Sequence, residues 1–210
     1  MSRLRTSEQF DSRDGFLFLG NQLALDFVNT RPLVNGELTE MLPDFSALLR
    51  WFVAAELLSP RVATAFEKKW GHSARAQPVV EGMRELRERL RKQILSWEKG
   101  DAIHPSMVSE LNQLMKEQPM LTRLQAQGAA PAMELWFDPR EPEDLFAPLA
   151  HSAAMLFANA DRSRVRKCGQ CVLRFLDTSK KGTRRWCSMQ LCGNRLKVAA
   201  YAARQRPREK

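Results

Sequence analysis

All four cysteines of the chain fall between positions 168 and 192: Cys168 and Cys171, then fifteen residues, then Cys187 and Cys192. The spacing is C-x2-C followed by C-x4-C. Two close pairs separated by a hairpin-length insert can converge four thiolates on one tetrahedral ion. Soft thiolates in a closed set suit a structural Zn2+. Two disulfides would need an oxidising compartment, and the start, Met1-Ser-Arg-Leu-Arg-Thr6, lacks the apolar core of a secretory leader. A redox C-x-x-C opens a helix in a βαβ setting, which this neighbourhood does not suggest. An iron–sulfur cluster could use the same ligands, but the interleaved basic residues favour a small zinc-held finger.

The insert suggests how the finger folds. Cys168-Gly-Gln-Cys171 reads as a metal knuckle, and Val172–Asp177 has strand character. Ser179-Lys-Lys-Gly182 reads as a turn, and Arg184-Arg-Trp-Cys187 returns the chain to the metal. A helix is expected after Ser188, with Leu196, Ala199, Ala200 and Ala203 as its apolar stripe. The order is knuckle, β-hairpin, helix. A unit this small cannot fold on its apolar core alone, so metal binding is coupled to its folding.

Charge marks the same region. Residues 161–210 hold fifteen Lys or Arg against three Asp or Glu, a balance of +12. The other 160 residues hold 18 against 21, a balance of −3. Such asymmetry is the footprint of a polyanion-binding module; a solvated basic tail is the plainer alternative. Lys180, Lys181, Arg184 and Arg185 cluster at the hairpin return and suit phosphate contacts. Asn194 and Arg195 open the helix and could reach base edges or hydrogen-bond within the finger. Lys197 and Arg204 share another helix face and suit the nucleic-acid backbone.

Several segments then carry a resemblance. Cys168-Gly-Gln-Cys171, Phe175-Leu-Asp-Thr178, Arg184-Arg-Trp-Cys-Ser188 and Cys192-Gly-Asn-Arg195 together resemble the CGNR zinc-finger family of bacterial transcription regulators. In that family the finger follows an ABATE domain of stress-induced regulators. Residues 16–31, FLFLGNQLALDFVNTR, resemble that domain's N-terminal signature. The signature commonly has a second glycine where this chain has Asn21. The resemblance implies a DNA-binding finger and a helical domain that senses a small molecule or mediates association. Asn21, Asp26, Asn29 and Thr30 are the polar members of the block. They either point into a small-molecule pocket or cap helix ends and satisfy a buried turn.

The remaining chain reads as helical. Asn21 is placed to cap a helix over 22–29, and Asp44 one through about 57. Ser59-Pro60 starts another, with Val62, Phe66 and Trp70 inward. A long helix over 78–99 has an apolar face from Val79 to Trp97 and a charged run, Arg84 to Lys92, expected to be solvated. Pro105 begins a further helix, with Met107, Val108 and Leu111 inward. Residues 120–124 and 134–138 are expected to pair as a small hairpin, and a last helical segment ends near Asp161.

The expected fold is mainly α (α+β). A disordered stretch over 1–14 precedes a multihelical domain over 15–162 with one small hairpin, a four-cysteine finger over 163–206 and a tail over 207–210. No apolar run approaches a membrane span, and a cytoplasmic protein is the simplest reading. His72, His104 and His151 lie far apart, and no phosphate-binding or nucleophile motif is present, so no enzyme is expected. Zinc-dependent DNA binding in transcription is the leading expectation. RNA binding and a zinc-stabilised protein-interaction module are the alternatives. The oligomeric state stays open, a homodimer included.

Overall fold

Helix α1 (Leu23–Val28) is short, yet it sits where the molecule is most crowded: Ala24, Leu25 and Phe27 are all inaccessible to solvent. The computed structural model describes residues 12–34, 36–127 and 130–193. Ahead of α1 runs a hairpin of β1 (Ser12–Arg13) and β2 (Phe16–Leu17). A second hairpin follows, β3 (Leu33–Val34) with β4 (Glu37–Leu38). Then come α2 (Phe45–Ala54), α3 (Pro60–Trp70), the long α4 (Ala76–Glu98) and α5 (Pro105–Glu117). Strands β5 (Leu121–Gln127) and β6 (Ala130–Trp136) pair antiparallel over their full length. A 3-10 turn, Pro142–Leu145, runs into α6 (Phe146–Asn159). The chain then enters β7 (Val165–Lys167) and β8 (Arg174–Leu176) and ends its described part in a π turn, Met189–Gly193. The fold is mainly α, with small hairpins and a four-cysteine module at the C-terminal side.

Local chemistry sets the helix bounds. The side chain of Asp44 accepts from the Ala47 amide, and that of Ser59 from the Val62 amide. His104 caps α5 through the Ser106 amide. Gln22, not Asn21, caps α1; its side chain accepts from the Ala24 amide. Asn21 instead takes a positive φ of 56° in the preceding turn. Helix α2 stops short of residue 57 because Glu56 turns left-handed and the amides of Leu57 and Leu58 fold back to the Phe52 carbonyl.

The core is built on α4, whose Val79, Met83, Leu86, Leu90 and Ile94 are buried at helical spacing. Trp51 packs among Phe18, Phe27 and Phe52, and Trp97 meets Phe157 edge-on at 5.4 Å. Two expectations fail here. Val62 and Val108 point outward, leaving Ala63 and Phe66, then Met107 and Leu111, as the buried members of their helices. The charged run of α4 is not wholly solvated either. Arg87 is 1% exposed, held by the Glu40 carboxylate and the Thr30 hydroxyl. Among the described residues no helix is long and apolar enough to cross a membrane.

Candidate metal centre and nucleic-acid face

The knuckle lies inside the finger's hairpin rather than before it. Strands β7 and β8 flank Cys168–Cys171, and the Cys168 amide donates to the Leu173 carbonyl to close the tip. Gly169 lets Trp186 approach the knuckle closely, since a Cβ there would meet the indole at 2.8 Å. The expected strand over 172–177 is present as β8, but its partner is β7, upstream of the first cysteine. Residues 177–187 return to the metal site without regular structure. The helix expected beyond Ser188 lies largely outside the described residues.

All four Sγ atoms lie within 4.8 Å of one another. Cys187 stands 3.7 Å from Cys171 and 3.6 Å from Cys192, sulfur to sulfur. Tetrahedral ligands about 2.3 Å from a metal are separated by roughly 3.8 Å, so these residues fit a single ion of that size. Thiol chemistry also calls for a cation. Contact with Cys171 and Cys187, aided by backbone amides, pulls Cys168 far below the ordinary thiol range. Contact with Cys168 pushes Cys171 up to about 12 and also raises Cys187, while burial raises Cys192. Clustered sulfurs cannot all ionise against one another; a divalent cation lets all four serve as thiolates.

The ligands rest on a small apolar cluster of Leu19, Leu173 and Phe175, with Leu17, Trp186 and Leu191 at its margin. Leu17 and Leu19 come from the opposite end of the chain. Asp177, 0% exposed, organises the irregular return by accepting from the amides of Ser179 and Arg184. Burial would raise its pKa, but these hydrogen bonds and the nearby Arg166 outweigh burial and lower it. Arg164 donates to the carbonyls of Asp177 and Ser179, and Arg166 to that of Gly182. Arg184, expected on phosphate, turns inward. It donates to the carbonyls of Trp186 and Cys187 and lies over the Phe175 ring at 4.4 Å.

An ABATE family model, described as "Putative stress-induced transcription regulator", matches residues 21–160. A CGNR zinc finger model matches residues 164–205. The chain belongs to the ABATE family. No curated protein matches it.

The ABATE domain and the CGNR finger are joined by a hydrogen-bonded seam. Strand β8 pairs with β7 on one side only; on the other, Arg174 and Leu176 turn their backbone groups towards residues 20–29. Asn29 donates to the Arg174 carbonyl at 2.8 Å and accepts from its amide at 2.8 Å. The Leu176 amide donates to the Gly20 carbonyl at 2.8 Å, and Asn21 donates to the Leu176 carbonyl at 2.9 Å. Thus the outward groups of both residues are satisfied by the ABATE signature. Asp26 accepts from the Gly20 amide and fixes the same turn. A Cβ at position 20 would come within 2.9 Å of the Asp26 carboxylate oxygen. Asn21 and Asn29 thus bond the finger, a use that neither of the two roles weighed for them included, and Asp26 bonds a turn beside it. The Arg174 guanidinium reaches Glu98 on α4 at 2.9 Å; burial raises the Glu98 pKa, opposed by Arg174 and Lys167.

The basic face is split. Lys180, Lys181 and Arg185 are exposed, as is Lys167, which the sequence reading had given no role. Asn194, Arg195, Lys197 and Arg204 lie outside the described residues. A shallow groove of about 420 Å³ runs between Arg166, Lys167, Gly169 and Arg185, with Glu98 at its ABATE side. Alternation along Arg164-Val-Arg-Lys167 gave no signal for Lys167, which shares the face of the buried Val165 and reaches solvent only because β7 ends there.

Proposed function

We propose that this protein is a zinc-dependent, nucleic-acid-binding transcription regulator. Its CGNR finger contacts duplex DNA, and its ABATE domain senses a small ligand or mediates association. The observation that carries the reading is the sorting of charge on the finger. Lys167, Lys180, Lys181 and Arg185 reach solvent, whereas Asp177 is buried and Glu98 is paired with Arg174. A polyanion therefore meets cations on this surface. Zinc is the ion that suits four thiolates in a closed, mostly buried set. Reduced thiols suit a cytoplasmic setting. We infer binding and no catalytic step, because the strongly perturbed thiols are all accounted for by the metal set.

The test is an unbiased selection of duplexes by the zinc-loaded protein at about physiological salt, where counterion competition weakens non-specific binding. An enriched motif supports the DNA regulator. Retention of RNA in preference to duplex DNA moves the reading to an RNA-binding protein. No retention of either, with zinc bound, leaves a protein-interaction module.

A further inference from the structure

The β5–β6 hairpin turns its charges inward. Arg123 and Glu134 pair across the strands on the face towards the body, while Leu124 and Met133 on the opposite face are both 66% exposed. A hairpin resting on a packed core has the reverse pattern. Beneath this inward face lies a cleft of about 440 Å³, to which α1 contributes Leu23 and α6 contributes His151 and Ser152. Patterning that is broken over a cleft marks a surface shaped for something other than packing.

The lining sorts by chemistry. Leu23, Leu57, Trp136 and Phe137 give it apolar and aromatic walls. Its charged groups are all committed. Arg123 is bonded to Glu134 and lies over the Trp136 ring, 3.5 Å from its centre, and Glu56 is paired with Arg13 at 3.0 Å. Hydrogen-bonding capacity remains at His151 and Ser152. His151 makes no hydrogen bond among the described residues. The Ser152 hydroxyl accepts from the Ala24 amide and keeps its own proton to donate.

We propose that this cleft binds a small uncharged aromatic molecule bearing a hydroxyl group, such as a phenol or a naphthol. An ionic ligand would have to break one of the existing pairs before it met a counter-charge. A flat ring gains burial against the aromatic and apolar walls. A hydroxyl both donates and accepts, which matches the donor and the acceptor of a neutral imidazole. The proposal rests on the reading that the ABATE domain senses a small ligand, and it moves the site away from Asn21, Asp26 and Asn29. Leu23 begins the helix whose flanking residues, Asn21 and Asn29, hold β8. A molecule in the cleft therefore touches the element that carries the finger.

Titration of the zinc-loaded full chain with 2-naphthol, followed by backbone amide shifts in NMR spectra, tests it. Saturable shifts should centre on Leu23, Trp136 and His151. 2-Naphthoate, the same ring with a carboxylate, should bind at least about tenfold more weakly. His151→Leu should weaken 2-naphthol binding at least about fivefold, with unchanged helical signal and zinc content. If that variant loses helical signal, the wild-type shift map and the naphthol-to-naphthoate ratio decide. No saturable binding at about 1 mM probe overturns the proposal. So does equal binding of the two probes, or a folded variant that binds as the wild type does. Shifts centred elsewhere in the ABATE domain overturn this cleft and keep the sensing reading. Binding in the cleft that leaves DNA retention unchanged supports the cleft and removes the sensing reading.

Discussion

Asn29 of the ABATE domain and Arg174 of the finger exchange two hydrogen bonds, each 2.8 Å long, across 145 positions of sequence. An asparagine side chain here stands in for a neighbouring strand. It gives β8 the donor and the acceptor that an edge strand lacks. The finger is thereby held in one orientation on the helical domain.

Asn29→Ala leaves the Arg174 amide and carbonyl without partners in a buried seam. At about 1–3 kcal/mol for an unsatisfied buried group, the expected loss is roughly 2–4 kcal/mol. Urea unfolding should show a lower midpoint, and the Arg174 amide should exchange faster. A midpoint equal to wild type would remove the seam from the stability of the protein.

Glu40 accepts from Arg87 at 2.7 and 2.5 Å. Burial would raise the Glu40 pKa, but the Arg87 guanidinium and the Leu42 amide, with Arg84, bring it below its ordinary 4.5. The unfolded chain then binds more protons, so this contribution is complete above pH 4.5 and is lost as pH falls through the lowered value. Glu40→Gln should cost about 2–3 kcal/mol at pH 7. That is less than a fully buried pair would cost, because Glu40 is 30% exposed. The variant should also lose part of the wild-type slope of stability against pH below 4.5, measured by urea unfolding at several pH values.

Cys187→Ser removes the ligand that lies between Cys171 and Cys192. Metal content should fall to background, and the amides of β7 and β8 should lose exchange protection. Most of the helical signal should persist, because the finger gives the large helical core only Val165 and, at its margin, Leu176. Chelation of the wild type should reproduce this pattern. Collapse of all helicity would show the two units to be one cooperative body.

Arg184 and Arg185 are neighbours with opposite expected phenotypes. Arg184→Ala should speed metal release to a chelator severalfold, having lost the carbonyls of Trp186 and Cys187 and the Phe175 ring. Arg185→Ala should leave metal release unchanged and reduce the salt slope of nucleic-acid binding by about 1. Exchanged phenotypes would reverse the inward and outward assignments.

What could be read in advance follows from how far apart the partners lie. The ligand set was legible because its spacing is local, and the long helix because its apolar residues repeat along one face. Arg87 was not, since within a charged run nothing marks the one arginine whose partner, Glu40, waits in a distant loop. The nesting of the knuckle was missed because the residues 172–177 look the same whether β8 pairs forwards or backwards. Asn21 and Asn29 looked like ordinary caps, since the strand they complete lies about 150 residues away.

Leu19 belongs to neither matched stretch; the ABATE match opens at residue 21 and the finger's at residue 164. Yet it is buried in the same cluster as Cys168, Cys187 and Cys192. A finger excised at residue 164 would leave its floor behind, and its cysteines would face water where a leucine stood. An excised fragment that retains the native metal environment would therefore need residues 16–20 returned to it, as a second peptide or by joining the two ends in a new order.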